Sequence, residues 1–281
     1  MKYQFIQDHP EFDIKLQCCV LGVSRSGFYD WRSRPESERQ KEDQRLLEKL
    51  INCFSQSQRT YGVRRLTEDL HELGEVVNHK RVARLKRENA IYPKQHKAYV
   101  VTTDSRHGKA VADNVLDRQF TVNCPNDVWV SDITYIPTRS GWLYLAVVID
   151  LYSRRVVGWQ LANHMRAELV CQAVEQAQAR RGCLPTLFHS DRGSQYVSEK
   201  LEEKLKGVTI SMSRKGNCWD NAVAESFFGT LKTEHVDHES YNNIHDVRMS
   251  LFQFIEGFYN RKRRHSHLGN LSPAKYEAEV A

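Results

Sequence analysis

Three runs of β-branched and aromatic residues follow one another between residues 128 and 161, separated only by short turn segments. They are VWVSDITYI (128–136), WLYLAVVID (142–150) and RVVGWQL (155–161), each with the composition and length of a strand. The PTRSG segment between the first two has the size of a hairpin loop. Beyond them the pattern alternates: a helix over 166–180, a strand over 186–190, a helix near 198–206, a strand over 208–212, and helices over 220–234 and 244–260. Three consecutive strands followed by that alternation predict a mixed sheet with helices on its faces, an α/β domain.

The first 90 residues read as helices instead. An apolar run over 16–21 ends at Gly22, and Ser24 then opens SRSGFYDWRSR, in which Phe28 and Trp31 share a helical face. Helix, glycine-containing turn, serine cap and second helix is the order of a helix-turn-helix, and equally of a plain helical hairpin. A second such unit follows. Leu46, Leu47, Leu50 and Phe54 recur at helical spacing, a helix over 62–73 ends at Gly74, and Asn78 caps HKRVARLKRENA. In that helix Val82 and Leu85 point inward. The expected division is a helix-turn-helix-like segment over 1–40, a second helical region over 41–92, a linker over 93–118 and an α/β core with a C-terminal helix and basic tail over 119–281.

With 281 residues, 40% apolar and 27% charged, the chain has the makeup of a soluble two-domain protein. No run of eighteen apolar residues is present, and the opening MKYQFIQDHP has no apolar segment of a secretory signal. A cytoplasmic, reducing location is the expectation. The seven cysteines include no CxxC pair, which argues against a zinc knuckle and for buried free thiols. The net charge of +6 is carried entirely by residues 1–110, with 21 Lys and Arg against 15 Asp and Glu. Within 76–110 the ratio is nine to two, a density that suits a polyanion such as DNA. On that reading Arg81, Arg84, Lys86 and Arg87 lie along a duplex. The run Arg261, Lys262, Arg263 and Arg264 is expected to contact phosphates in the same way, with a solvated helix end as the plain alternative.

Three carboxylates fall where such a sheet gathers its functional groups. Asp132 sits inside the first strand and shares a face with Val128 and Val130, an expensive position for an ionised group unless something positive compensates it. Asp191 is the first residue past the fourth strand, where ligands of α/β sheets collect, and Gly193 would let the backbone turn sharply there. Glu225 belongs to DNAVAESFFGTLKTE, where Gly229 and Lys232 lie within about 40° of it on a helical wheel and Phe227 points away. Converging carboxylates repel each other, so a divalent cation is their natural occupant, and oxygen ligands without His or Cys select Mg²⁺ or Mn²⁺. Plainer readings stand beside this: Asp132 paired with an arginine, Asp191 a turn former, Glu225 a solvated helix residue. Asp150, ending the second strand, and Asp220, as a helix cap, compete for the same role.

The segments PNDVWVSDITYI, FHSDRGSQYVS and SRKGNCWDNAVAESFFGTLKTE together resemble the DDE integrase core of bacterial insertion-sequence transposases, in particular insertion sequence family three. FYNRKRRHSHLGNLSPAKYE is similar to the family's closing segment, and CCVLGVSRSGFYDWRSR and RTYGVRRLTEDL to its N-terminal region, so the resemblance covers essentially the whole chain. It implies a ribonuclease-H-like fold whose Asp, Asp, Glu triad binds two Mg²⁺ ions, carried here onto Asp132, Asp191 and Glu225. The last two have 33 residues between them, near the family's spacing. Lys232 matches the family's basic residue at the DNA end, and Trp219 beside the triad is a further expected DNA contact. The implied chemistry is phosphoryl transfer: hydrolysis at the element's end frees a 3′-hydroxyl, which attacks a second phosphodiester. The implied partners are double-stranded DNA at the insertion-sequence ends and in the target, further copies of the chain, and the product of an upstream reading frame. The implied setting is the bacterial cytoplasm and its nucleoid. Two alternatives are a ribonuclease-H-like nuclease that only cuts, and a non-catalytic DNA-binding modulator of a fused transposase. Trp129, Trp142 and Trp159 are expected in the core, and His189 as a packed strand residue.

Overall fold

Polar caps and glycine turns divide the first residues into short helices. The computed structural model describes residues 1–94, 112–215 and 217–280, and the chain divides into two units, Met1–Asn52 and Cys53–Ala281. In the first unit, α1 (Lys2–Asp8), α2 (Ile14–Leu21) and α3 (Arg25–Ser33) enclose Ile6, Cys18 and Phe28. The Asp13 carboxylate accepts the amides of Lys15 and Leu16 to start α2. Gly22, at φ 61°, closes it, and Ser24 caps α3 through the Gly27 amide at 3.0 Å. The turn and cap are those read from the sequence, whereas α1 gave no sequence signal. α4 (Glu38–Gln56) follows, with Leu46 and Leu50 buried.

The second unit begins within the last turn of α4 and continues with α5 (Val63–Glu72) and α6 (His79–Glu88). Leu66, Leu70, Val82 and Leu85 are buried, and His71 Nε2 is hydrogen-bonded to the Val77 carbonyl to fix the turn. Residues 95–111, most of the expected linker, lie outside the described residues. From Asp113 onward the chain follows the edge of the sheet: the amides of Val115 and Leu116 donate to Ser211 Oγ, and the Met212 amide to the Asp113 carbonyl.

The sheet contains β1 (Val128–Thr138), β2 (Gly141–Asp150), β3 (Val156–Ala162), β4 (Leu187–Ser190) and β5 (Thr209–Met212) in the order β3-β2-β1-β4-β5. The first three are antiparallel neighbours, while β4 runs parallel to both β1 and β5. Between β3 and β4 the chain forms α7 (Ala167–Arg181), whose Leu169, Ala173, Val174 and Ala177 pack against Trp129, Ala146 and Val148. Gly158 makes that contact possible, since a Cβ there would stand 2.1 Å from the Ala173 carbonyl oxygen. Then come α8 (Glu199–Lys204), α9 (Ala222–Glu234) and α10 (Ile244–Phe252), which continues as a π-helical segment, Gln253–Tyr259. Phe227 of α9 meets the Tyr259 ring edge-on at 4.8 Å. α11 (Pro273–Val280) ends the described chain.

This is the mixed α/β sheet expected from the strand pattern. Trp129 and Trp159 are in the core as expected, but Trp142 is 56% exposed. It begins β2 next to the hairpin turn, where the strand has run beyond the covering helices. Three of the free cysteines, Cys19, Cys124 and Cys183, are exposed as well, contrary to the expectation of buried thiols. Among the described residues no helix is long and apolar enough to cross a membrane.

Candidate active site

The register of the sheet brings the two aspartates to one level. On the parallel neighbours β1 and β4, Val130 pairs with His189. Asp132, still on β1, and Asp191, the first residue past β4, each stand two residues further on. The Asp132 carboxylate accepts the Ile133 amide at 2.7 Å, and Asp191 Oδ1 accepts the Gly193 amide at 2.9 Å. Gly193, expected to permit a sharp turn, is not among the glycines in the left-handed region. It is required for space, since a Cβ would fall 2.8 Å from Gln195 Oε1 and 3.0 Å from Asp191 Oδ1.

Glu225 arrives on α9, which is tied to β1 beside Asp132: the buried Asn221 side chain donates to the Ser131 carbonyl at 3.2 Å. Behind the acids, Ser131 Oγ and the Tyr196 hydroxyl share a hydrogen bond of 3.0 Å, and Tyr196 is fully packed. The sequence reading missed Ser131, Tyr196 and Asn221, because nothing about a serine, tyrosine or asparagine in isolation marks it as a support for a neighbour.

The electrostatics set these acids apart. Burial pushes the Asp132 carboxyl well above the usual carboxylate range, and the charges of Asp191 and then Glu225 push it further, against a smaller opposing pull from Lys232. Burial raises Glu225 as well. Among the described residues no arginine or lysine forms an ion pair with Asp132 or Glu225. The two competing aspartates have arginine partners instead. Asp150 is buried against Arg181 at 3.0 Å and also accepts the amides of Asn126 and Tyr152. Asp220 is gripped by the Arg214 side chain and amide, by Arg118 and by Asn114, which holds it far below the usual range. It is an anchor for the 214–220 loop and not the helix cap that its position suggested.

As they stand, the acids are not closed into a cage: among the described residues no three acidic, imidazole or thiol side chains are clustered tightly enough to chelate one ion. The donor set still fits a hard cation. It consists of carboxylates, and the nearest imidazole is committed elsewhere, with His189 Nδ1 and Nε2 bonded to Ser211 and Ser213 and its pKa pushed down to about 4 by burial. His189 is the packed strand residue expected of it.

The basic residues divide. Lys232 lies on α9 with its ammonium 4.3 Å from the centre of the Tyr135 ring. Trp219 is 69% exposed in the turn before α9. Arg87, Arg261 and Lys262 are exposed, and Arg81 and Arg84 partly so, Arg84 reaching Glu88 at 3.1 Å. Lys86, Arg263 and Arg264 correct the sequence reading, because all three point inward. Lys86 lies over the Phe54 ring and donates to the Tyr61 carbonyl. Arg263 makes a two-point pair with Glu234, both contacts at 2.7 Å, and Arg264 reaches Asp69 at 2.6 Å and Glu72 at 2.7 Å.

Comparison with known proteins agrees with this architecture. The integrase core domain family matches residues 122–218, a second integrase core domain family matches residues 206–273, and an HTH-like domain family matches residues 41–99. The chain is 42% identical over 283 residues to the transposase InsF for insertion sequence IS3A of Escherichia coli, spanning 99% of this chain and 98% of that one. It is 43% identical to a 31 kDa protein of insertion element IS600 from Shigella sonnei, spanning 92% and 96%. Among solved structures, a simian T-cell lymphotropic virus intasome aligns with a TM-score of 0.46 at 16% identity over 77% of this chain and 70% of that chain. The HTLV-2 integrase catalytic core in complex with magnesium aligns at 0.42 and 16% identity, over 54% and 96%. A five-stranded sheet of this order with an integrase-core match defines the ribonuclease-H-like polynucleotidyl transferases. Within that class the chain belongs to the IS3 family of transposases, enzymes whose substrate is DNA.

Proposed function

We propose that the transposase cleaves DNA at the ends of its insertion sequence and joins the freed strands to a second site, with Asp132, Asp191 and Glu225 holding the required Mg²⁺ or Mn²⁺. The observation that carries this reading is the gathering of Asp132 on β1, Asp191 at the end of the neighbouring β4 and Glu225 on the helix tied to β1, with no arginine or lysine ion-paired to Asp132 or Glu225 among the described residues. Two ions about 3.5–4 Å apart would supply the positive charge that assists an attacking oxygen and a leaving one. The chain's own residues prepare for that step. Tyr196 and Ser131 hold β1 from behind, Asn221 fixes the start of α9, and the Gly193 amide orients the Asp191 carboxylate. In-line displacement then depends on the placement of the scissile phosphate between the strands and α9.

Lys232 and Trp219 are placed to contact the DNA end, and Arg81, Arg84, Arg87, Arg261 and Lys262 to contact its phosphates further out. On this reading residues 41–92 and 1–40 recognise DNA through the two helical units, 93–118 link them to the core of 119–281, and several copies assemble on the DNA. Joint action with an upstream-frame product is part of the same proposal.

The test is to incubate the purified chain with labelled candidate element ends, plasmid and Mg²⁺, and to map joined products. Strand transfer of a pre-cleaved end supports a transposase active by itself, cutting without joining supports a nuclease, and DNA binding without either supports a modulator.

A further inference from the structure

The hairpin beside the acids carries an aromatic pair, Trp142 exposed and Tyr135 half-buried, that the triad chemistry does not use. Tyr135 lies three residues beyond Asp132 on β1, about 10 Å along the strand. Its ring meets Trp142 edge-on, with centroids 5.0 Å apart and planes at 78°. Trp142 is 56% exposed, a costly position for an indole in the absence of a partner. Three residues is an odd step, so Tyr135 stands on the other face of β1 from Asp132, and Lys232, with its ammonium 4.3 Å from the Tyr135 ring centre and its charge felt at Asp132, connects the two. Arg139, at the tip of the hairpin, is exposed and adds a second cation, its amide held by the Tyr241 carbonyl. Exposed ring faces interleaved with cations are the chemistry that grips single-stranded nucleic acid: rings stack on bases while the cations follow the backbone.

We propose that Trp142, backed by Tyr135, is a stacking site for an unpaired base of the bound DNA, close to the phosphodiester at the acids. The inference rests on the proposed role of the acids only for where the base comes from. Trp142 stands across from Pro137, five residues and about 17 Å beyond Asp132 along β1, so at about 3.4 Å per nucleotide along a strand the base falls within about five nucleotides of the scissile phosphate. A base drawn out there opens the duplex end and gives the active site access to a single strand. Trp142 is thus a DNA-positioning residue, and Lys232 links the stacked base to the catalytic neighbourhood.

The experiment uses the full chain and duplex element ends carrying 2-aminopurine at each of the last positions around the cleavage point. Recording in EDTA separates stacking from cleavage, so a wrong assignment of the acids leaves the outcome readable. Wild type and Trp142→Phe are expected to change the probe's fluorescence at one or two positions within about five nucleotides of the junction, and Trp142→Ala is not. In Mg²⁺, Trp142→Ala should lower cleavage of fully paired ends by about five- to a hundredfold, the range for loss of one base–aromatic stack, and a substrate already mismatched at those positions should recover most of it. A melting temperature matching wild type confirms that the exposed substitution leaves the fold intact. Equal fluorescence changes for Trp142→Ala and wild type, or no change in any of the three, overturn the proposal. So does a Trp142→Ala defect confined to self-association, which would assign this face to a second copy of the chain.

Discussion

The two ends of α9 use the same residue types in opposite ways. At its start, Glu225 and the strand acids Asp132 and Asp191 are brought together while Asp132 and Glu225 receive no arginine, so burial and mutual repulsion raise the Asp132 carboxyl. At its end, Glu234 is enclosed by Arg263 and Arg65, and the adjoining Arg264 is enclosed by Asp69 and Glu72. The second arrangement fixes α5 against the 258–264 segment, with Tyr61 adding hydrogen bonds to the Lys262 carbonyl and the Arg264 amide. Paired charges build structure, whereas gathered like charges store a cost that a bound cation or a proton relieves. The difference shows where this fold keeps unsatisfied binding capacity.

The largest effect tests the uncompensated end. Asp132→Asn, Asp191→Asn and Glu225→Gln are each expected to lower metal-dependent cleavage by at least about a thousandfold, since the cation's charge stabilisation is worth several kcal/mol. Folding and DNA binding should persist. In EDTA, Asp132→Asn should melt above wild type because it removes the repulsion, and Mg²⁺ should raise the melting temperature of wild type but not of the variant. A variant with near-normal cleavage loses its place in the triad, and one that melts below wild type in EDTA contradicts the repulsion.

The paired end should respond in stability and not in chemistry. Arg263→Ala leaves Glu234 buried without its main partner and is expected to cost about 3–5 kcal/mol in urea denaturation. Replacing both partners with apolar residues of similar size, Arg263→Met with Glu234→Leu, should recover most of that. An unchanged midpoint for Arg263→Ala would mean the pair is not what holds this segment.

The contrast was only half legible in the sequence. A charged residue inside VWVSDITYI is conspicuous because its apolar neighbours define the strand it interrupts, and Asp191 and Glu225 follow from strand end and helix periodicity. The sheet was readable for the same reason: its strands are dense in β-branched and aromatic residues. Arg263 and Arg264 were misread because a basic run has no direction. Their partners lie 29 and 195 residues away, and only the tertiary fold turns them inward. Lys86 was misread similarly, as its acceptor is the Tyr61 carbonyl 25 residues back. Trp142 failed for the converse reason: strand composition predicts burial, but the end of a long hairpin extends beyond the helices that would cover it.

Asp150 gives a middle case, buried with an arginine partner and yet raised to about 6, chiefly by desolvation. Its folded pKa exceeds the unfolded value of 3.8, so the folded state holds its proton more tightly. Its contribution to stability therefore falls as pH rises from about 4 to 6 and is level above that. The difference in melting temperature between wild type and Asp150→Asn should follow that slope, and it should be indifferent to Mg²⁺. A slope of opposite sign would mean that the Arg181 pairing outweighs burial, and one abolished by Mg²⁺ would place Asp150 with the triad acids instead.

The smallest effect concerns which cations reach DNA. Each phosphate contact removed should lower the slope of log affinity against log salt by about one. Lys232→Ala, Arg87→Ala and Arg261→Ala should each do so, with a modest loss of affinity that is similar across sequences for the last two. Lys86→Ala should leave the slope unchanged while lowering the melting temperature, because its ammonium is turned to Phe54 and the Tyr61 carbonyl. Arg264→Lys, which keeps the charge but loses the planar fork reaching Asp69 and Glu72, should do the same. Lys232 is the sharpest of these comparisons, since its ammonium serves both the Tyr135 ring and the field at Asp132. If Lys232→Ala left the salt slope untouched and altered only cleavage, its charge would act on the acids and not on the phosphate backbone.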